Sequence, residues 1–172
     1  YSLKNINIPS SVAYIGYKAF ANCDALKQIT LPNKIKSLLG SSYNGVFYGC
    51  NNLESVILPD SLVEIGGGSF QHCSRLKEIS LPPTVKTIGS YAFSDCSSLT
   101  EIKIPSSVVS IGDEAFRGCS NLQNVYTYII EPTKIGENTF STFQTATLHI
   151  PSFSFWNYYW DIGWSRFNQK NI

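Results

Sequence analysis

Cysteine recurs along this chain at a nearly constant spacing. Cys23, Cys50, Cys73, Cys96 and Cys119 follow one another at equal intervals after a slightly longer first one, and each lies between a preceding phenylalanine and a following leucine in the same local pattern. A repeat of roughly 20 to 29 residues cannot bury its own apolar face, so successive copies must stack and share one core. The spacing therefore predicts a solenoid.

Each copy contains a short apolar segment that ends in proline. The pattern Leu-x-x-Ile-x-Ile-Pro, as in residues 99–105, favours a strand, and its proline removes the donor needed to continue the ladder. A second aliphatic pair follows, such as Val108 and Ile111, and then a block around Phe116 that is too short for a regular α-helix. We therefore predict about six coils, each with a strand of a parallel β-sheet, a short extended segment and a short helical or 3₁₀ turn.

These repeats closely resemble the BspA-like leucine-rich repeat family of bacterial surface proteins. Residues 99–122, LTEIKIPSSVVSIGDEAFRGCSNL, contain the family's L-x-x-I-x-I-P, V-x-x-I-G and A-F-x-x-C elements. The tail from residue 146 is similar to the closing segments of Bacteroidetes-type members. The resemblance implies an α/β-type leucine-rich repeat solenoid that is extracellular or displayed at the cell surface. It also implies a role in adhesion or other protein binding.

The repeats predict two regions, a solenoid over residues 1–145 that degenerates from about residue 123, and a capping segment over residues 146–172. The chain begins at Tyr1, close to a repeat leucine, so we expect the native N-terminus and any signal peptide to be absent from it. The second repeat carries four extra residues around residues 39–45. Such a loop is either a binding element or a tolerated surface insertion.

The capping segment is the most aromatic part of the chain. Residues 153–167 contain eight aromatic residues, including all three tryptophans. We expect most of these rings to cover the open end of the core, after a final strand that contains Leu148 and Ile150. The alternative is a glycan-binding platform formed by Trp156, Trp160 and Trp164.

Composition and motifs argue against several function classes. Net charge is +1 with 15% charged residues, without the basic stripe that nucleic-acid binding requires. No apolar run approaches the roughly eighteen residues of a transmembrane helix. The run of three glycines at residues 66–68 lacks the Lys-Ser/Thr of a phosphate loop. We therefore expect no nucleic-acid partner, no transmembrane segment in this chain and no small-molecule cofactor.

Periodicity also bears on the cysteines. Because each takes the same place in its coil, we expect five free, buried and inert thiols rather than disulfides. A zinc site is disfavoured because no C-x-x-C or C-x-x-H spacing occurs. His72 and His149 fall in different repeats and are expected at the surface, so neither activates a buried Cys73. The chain is predicted not to be an enzyme and to hold no metal.

The outward strand positions remain as the candidate recognition surface, because they are polar, mixed in charge and variable between repeats. The partner is expected to be a protein, such as a host matrix or cell-surface protein. Two alternatives stay open, glycan binding through the aromatic tail and a purely structural spacer. The candidate partner-binding residues are Ile57, Lys77, Glu78, Glu101, Lys103 and Tyr126.

Overall fold

Two sets of short parallel strands repeat along the protein, and they confirm the predicted solenoid. The computed structural model describes residues 2–136 and 138–171. The first set contains β1 (Gln28–Thr30), β3 (Ser55–Ile57), β6 (Glu101–Ile104), β8 (Asn124–Thr127), β9 (Thr147–His149) and β10 (Gln169–Asn171). The second contains β2 (Ser37–Leu38), β4 (Glu64–Ile65), β5 (Thr87–Ile88) and β7 (Ser110–Ile111).

Strand register follows the repeat. In the first set β1 pairs with β3, and β6, β8, β9 and β10 form one sheet in that order, so that Ile102 lies opposite Val125 and Val125 opposite Leu148. These aliphatic side chains point inward, whereas their neighbours along each strand point outward. We call the outward side of the first set, together with residues 77–81, the strand face. The second set forms one continuous sheet, β2–β4–β5–β7.

A column of phenylalanine rings runs through the core. Neighbouring rings lie 4.8–5.4 Å apart between centroids and their planes differ by 5–10°. Stacking of rings at one place in successive coils ties each coil to the next. The column consists of Phe20, Phe47, Phe70, Phe93, Phe116 and Phe140.

The cysteines form a second column, free and buried as predicted. From Cys50 onward, each thiol donates a hydrogen bond to the carbonyl oxygen of the phenylalanine of the preceding coil, for example from Cys96 Sγ to Phe70 O at 3.1 Å. Burial raises the pKa of the Cys50 and Cys119 thiols to about 12. The thiols therefore remain protonated and act as hydrogen-bond donors. The sequence predicts their burial as small apolar residues but not these hydrogen bonds.

The block before each cysteine is a hydrogen-bonded turn rather than the predicted helical or 3₁₀ turn. Two residues in it adopt left-handed backbone conformations, such as Tyr91 at φ 59° and Asp95 at φ 60°. A right-handed helix cannot continue through such residues. Among the described residues, the helices are confined to the C-terminal segment, as α1 (Phe155–Trp160) and a 3₁₀ helix (Trp164–Arg166).

The C-terminal segment closes the core with fewer rings than expected. Tyr158, Trp164 and Phe167 are fully buried, and the Trp164 ring lies 5.9 Å from Phe140 at the end of the column. By contrast, Trp156, Tyr159 and Trp160 on α1 are exposed, as is Phe153 before it, so the expectation that most of these rings cover the core is wrong. The reason is geometric, because a helix as short as α1 directs only one side toward the core.

The last strand also differs from the expectation. The strand with Leu148 is β9, and Ile150 follows it with its N–H donated to Asn171 O at 2.9 Å. The chain then returns after the 3₁₀ helix to add β10 beside β9. The division at residue 146 stays a prediction.

Candidate functional site on the strand face

Most of the candidate partner-binding residues line one depression on the strand face. Ile57 ends β3, Glu101 and Lys103 lie on β6, and Glu78 lies on the intervening coil. Together with Tyr128 they line a cleft of about 510 Å³. Ile57 is 63% exposed and forms an apolar wall beside these charged groups.

The cleft lies where the first strand set is interrupted. The Lys77 N–H reaches Glu54 O at 3.5 Å, which is a long hydrogen bond. Among the described residues, no main-chain hydrogen bond joins residues 78–81 to β3 or β6. The equivalent coil stays paired in the second sheet through β5. At this coil, residues 78–81 on the strand face therefore lack main-chain hydrogen bonds to β3 and β6, whereas the second sheet keeps its pairing.

Charges around the cleft are partly paired. Lys103 Nζ lies 2.9 Å from Glu101 Oε1, and this hydrogen bond raises the pKa of the Lys103 ammonium. Lys77 Nζ lies 4.0 Å from Glu54, and both line a neighbouring depression that Glu78 and Glu101 share. Glu78 stands beside this pair without an ion pair among the described residues. The cleft can thus receive a basic or hydrogen-bond-donating group next to an apolar one.

Tyr126 is less available than the sequence suggested. Its ring stacks on His149 at 4.2 Å, and Lys103 Nζ lies 5.7 Å from its centroid. His149 is fixed in turn by a 2.9 Å hydrogen bond to Asn124 Oδ1. Tyr126 is therefore a half-buried support for Lys103 rather than an open aromatic anchor.

The exposed aromatic side chain at the cleft that sequence reasoning missed is Tyr128. It is 54% exposed and lines the cleft beside Pro105. The sequence carried a signal for it, because Tyr128 stands one repeat after Pro105, at the place where each earlier repeat has its proline. A ring placed where a strand-ending proline is expected has no core role to explain it.

The alternative glycan residues divide. Trp156 and Trp160 are 63% and 75% exposed on one side of α1. Trp164 is buried, and its Nε1 donates to Thr133 O at 2.7 Å, so it cannot belong to an exposed platform.

No described helix is long and apolar enough to cross a membrane. No group of three or more possible metal-ligating side chains occurs among the described residues.

Comparison with known families matches the repeat. The family model for the BspA type leucine-rich repeat region fits residues 1–45 and 40–160 in six copies. No curated protein matches the chain.

Solved bacterial structures are similar in fold. A T. pallidum leucine-rich repeat protein is 37% identical over 63% of this chain, covers 49% of its own length and has a TM-score of 0.60. A Bacteroides ovatus leucine-rich repeat protein is 28% identical over 84% of this chain and 47% of its own, with a TM-score of 0.66. A leucine-rich cell surface protein from Faecalibacterium prausnitzii is 25% identical over 83% of this chain and 53% of its own, with a TM-score of 0.54.

This chain spans about half the length of those proteins. The six matched copies together span residues 1–160, which include all five cysteines of the repeat. The protein belongs to the BspA-type leucine-rich repeat family.

Proposed function

We propose that this chain is a protein-binding module of a bacterial cell-surface or secreted protein, and that it binds through the strand face. The observation that carries the proposal is the cleft between β3 and β6, which combines exposed Ile57 and Tyr128 with Glu78, Glu101 and Lys103. Aromatic and aliphatic anchors inside a charged rim are typical of protein-binding surfaces. The name of the Faecalibacterium prausnitzii relative supports a surface location.

The partner that fits this face is a polar protein surface, such as that of a host matrix or cell-surface protein. Two apolar anchors and a partly paired rim favour a contact of modest affinity. Repetition of such modules on a longer chain would raise the avidity without new contacts.

The test is a pull-down against a panel of purified host matrix proteins, followed by affinity measurement on the captured partner. Ile57→Ser should weaken binding by roughly tenfold, since a central apolar anchor is lost. Val109→Ser is the matched control, because Val109 is an exposed aliphatic residue that does not line the cleft. Equal losses for both variants would exclude the cleft as the binding site.

A second candidate function rests on α1. Exposed Trp156 and Trp160, with Tyr159 between them in sequence and 47% exposed, offer rings on which sugar faces could stack. The double variant Trp156→Ala/Trp160→Ala should abolish signal on a glycan array, whereas Phe153→Ala, at a fully exposed ring outside α1, should leave it unchanged. If neither the strand-face variant nor this one changes any binding, the spacer function is favoured.

A further inference from the structure

The insertion in the second repeat is docked on the next coil. A Cβ on Gly45 would overlap the carbonyl oxygen of Gly68, and a Cβ on Gly40 would overlap that of Gly67. In addition, the Tyr43 N–H donates a 3.2 Å hydrogen bond to Oε1 of the buried Gln71. The insertion therefore packs against the run of three glycines at residues 66–68, and the loop holds one defined position.

Docking assembles four rings from three successive coils. The Tyr43 ring lies 6.3 Å from Tyr48 and 6.3 Å from Tyr91, and Tyr48 lies 5.3 Å from His72. We call Tyr43, Tyr48, His72 and Tyr91 the tyrosine cluster. Tyr43 is 58% exposed at its centre, so the cluster presents ring surface to solvent.

Two of these rings, Tyr91 and His72, have polar partners at their edges. Tyr91 Oη donates to Glu114 Oε1 at 2.9 Å, and His72 Nδ1 lies 3.3 Å from Asp95 Oδ2. Arg117 also donates to Glu114, at 2.6 Å. Rings held in this way lose little conformational freedom when a ligand binds.

With His72 counted as neutral, the charged side chains at the cluster are net negative. Asp95 and Glu114 contribute two carboxylates against the guanidinium of Arg117, and both carboxylates lie directly beside the rings. Tyrosine faces attract cations through their ring quadrupole, and arginine stacks on them best because its guanidinium is planar. Ring faces next to surplus carboxylate therefore select a cationic side chain over an anionic or neutral one.

We propose that the tyrosine cluster is a second interaction surface, which binds an arginine-bearing segment of a protein partner. The cluster lies on the turn segments of the coils and shares no residue with the cleft on the strand face. One module would thus hold a partner through two separate surfaces, and loss of one would leave the other intact.

In the experiment, a short synthetic peptide of repeating Gly-Arg-Gly-Ser is titrated into the full chain, and calorimetry measures the binding. The counterpart peptide has glutamate in place of arginine. Tyr43→Ala/Tyr91→Ala should weaken binding of the arginine peptide by about tenfold, since two ring faces are removed. Binding to the unaltered chain should also weaken as salt rises.

The matched control is Tyr14→Ala/Tyr17→Ala, because these tyrosines are 64% and 59% exposed and lie outside the cluster. It should bind the arginine peptide within about twofold of the unaltered chain, and so should the strand-face variant Ile57→Ser. Tyr43→Ala alone, at an exposed side chain, keeps the test valid if the double variant unfolds. Equal binding of the glutamate peptide, equal loss in the control, or binding of neutral oligosaccharides in place of peptide would overturn the proposal.

Discussion

Replacement of Phe93 by alanine tests the phenylalanine column directly. Phe93 is fully buried, and its ring stacks on Phe70 at 5.4 Å and on Phe116 at 5.3 Å. Removal of a buried phenylalanine side chain costs about 3–5 kcal/mol, and each aromatic pair contributes about 0.5–1.5 kcal/mol of its own. Because both neighbours are rings held by further rings, the site cannot collapse, and we expect a loss of about 4–5 kcal/mol in the free energy of unfolding.

The free energy is measured by urea unfolding and the melting temperature by thermal unfolding, both monitored by circular dichroism, and hydrogen exchange locates the effect. For a chain of this length the melting temperature should fall by about 8–20 °C. Amides in the coils of Phe70 and Phe116 should lose protection together, because stability in an array passes between nearest neighbours. Phe153→Ala, at a fully exposed ring, is the control and should change stability by less than about 0.5 kcal/mol. A loss below about 1 kcal/mol for Phe93→Ala would refute the stacked-column argument.

Three further predictions concern other parts of the array. All five thiols should resist alkylation in the native protein, because they are buried and burial raises the pKa of Cys50 and Cys119 to about 12. In denaturant without reductant all five should react, and a single reactive thiol would instead indicate disulfides. Gly45→Ala should lower the melting temperature as the insertion detaches, whereas Gly16→Ala, whose Cβ would meet nothing closer than 3.6 Å, should not; equal melting temperatures would contradict the docked loop. Deletion of residues 152–172 should expose Phe140 and Phe143 and cause aggregation on size-exclusion chromatography, and a monomer with an unchanged melting temperature would show the segment to be dispensable.

Much of the fold was predictable from the sequence because its contacts repeat. Because the residues equivalent to Phe93 and Cys96 recur in five successive repeats, their partners in the next coil are mostly the same residue types, and burial follows from the pattern. The turns were not predictable in the same way. At Tyr91 the left-handed backbone occurs without glycine, and the residue type gives no indication of it, whereas Asp95 precedes a cysteine at a position whose residue types tolerate this conformation.

The exposure of the candidate residues was predictable, and their contacts were less so. Outward alternation correctly placed Ile57 and Lys103 at the surface, because a period of two is a property of the strand itself. Whether Tyr126 is free depends on His149, which belongs to the next coil, and repeats do not specify that contact. Similarly, the burial of Trp164 and the exposure of Trp160 depend on where the 3₁₀ helix turns back toward Phe140.

The interrupted strand pairing at residues 78–81 has a mechanical consequence. At that coil the phenylalanine column and the second sheet remain continuous, while the strand face has no main-chain ladder among the described residues. At this coil the strand face should therefore deform more easily than the second sheet. Under tension the strand face should separate first at residues 78–81, and the solenoid should bend about the phenylalanine column. If the chain acts at a cell surface as proposed, tension along it should first widen the cleft beside Ile57.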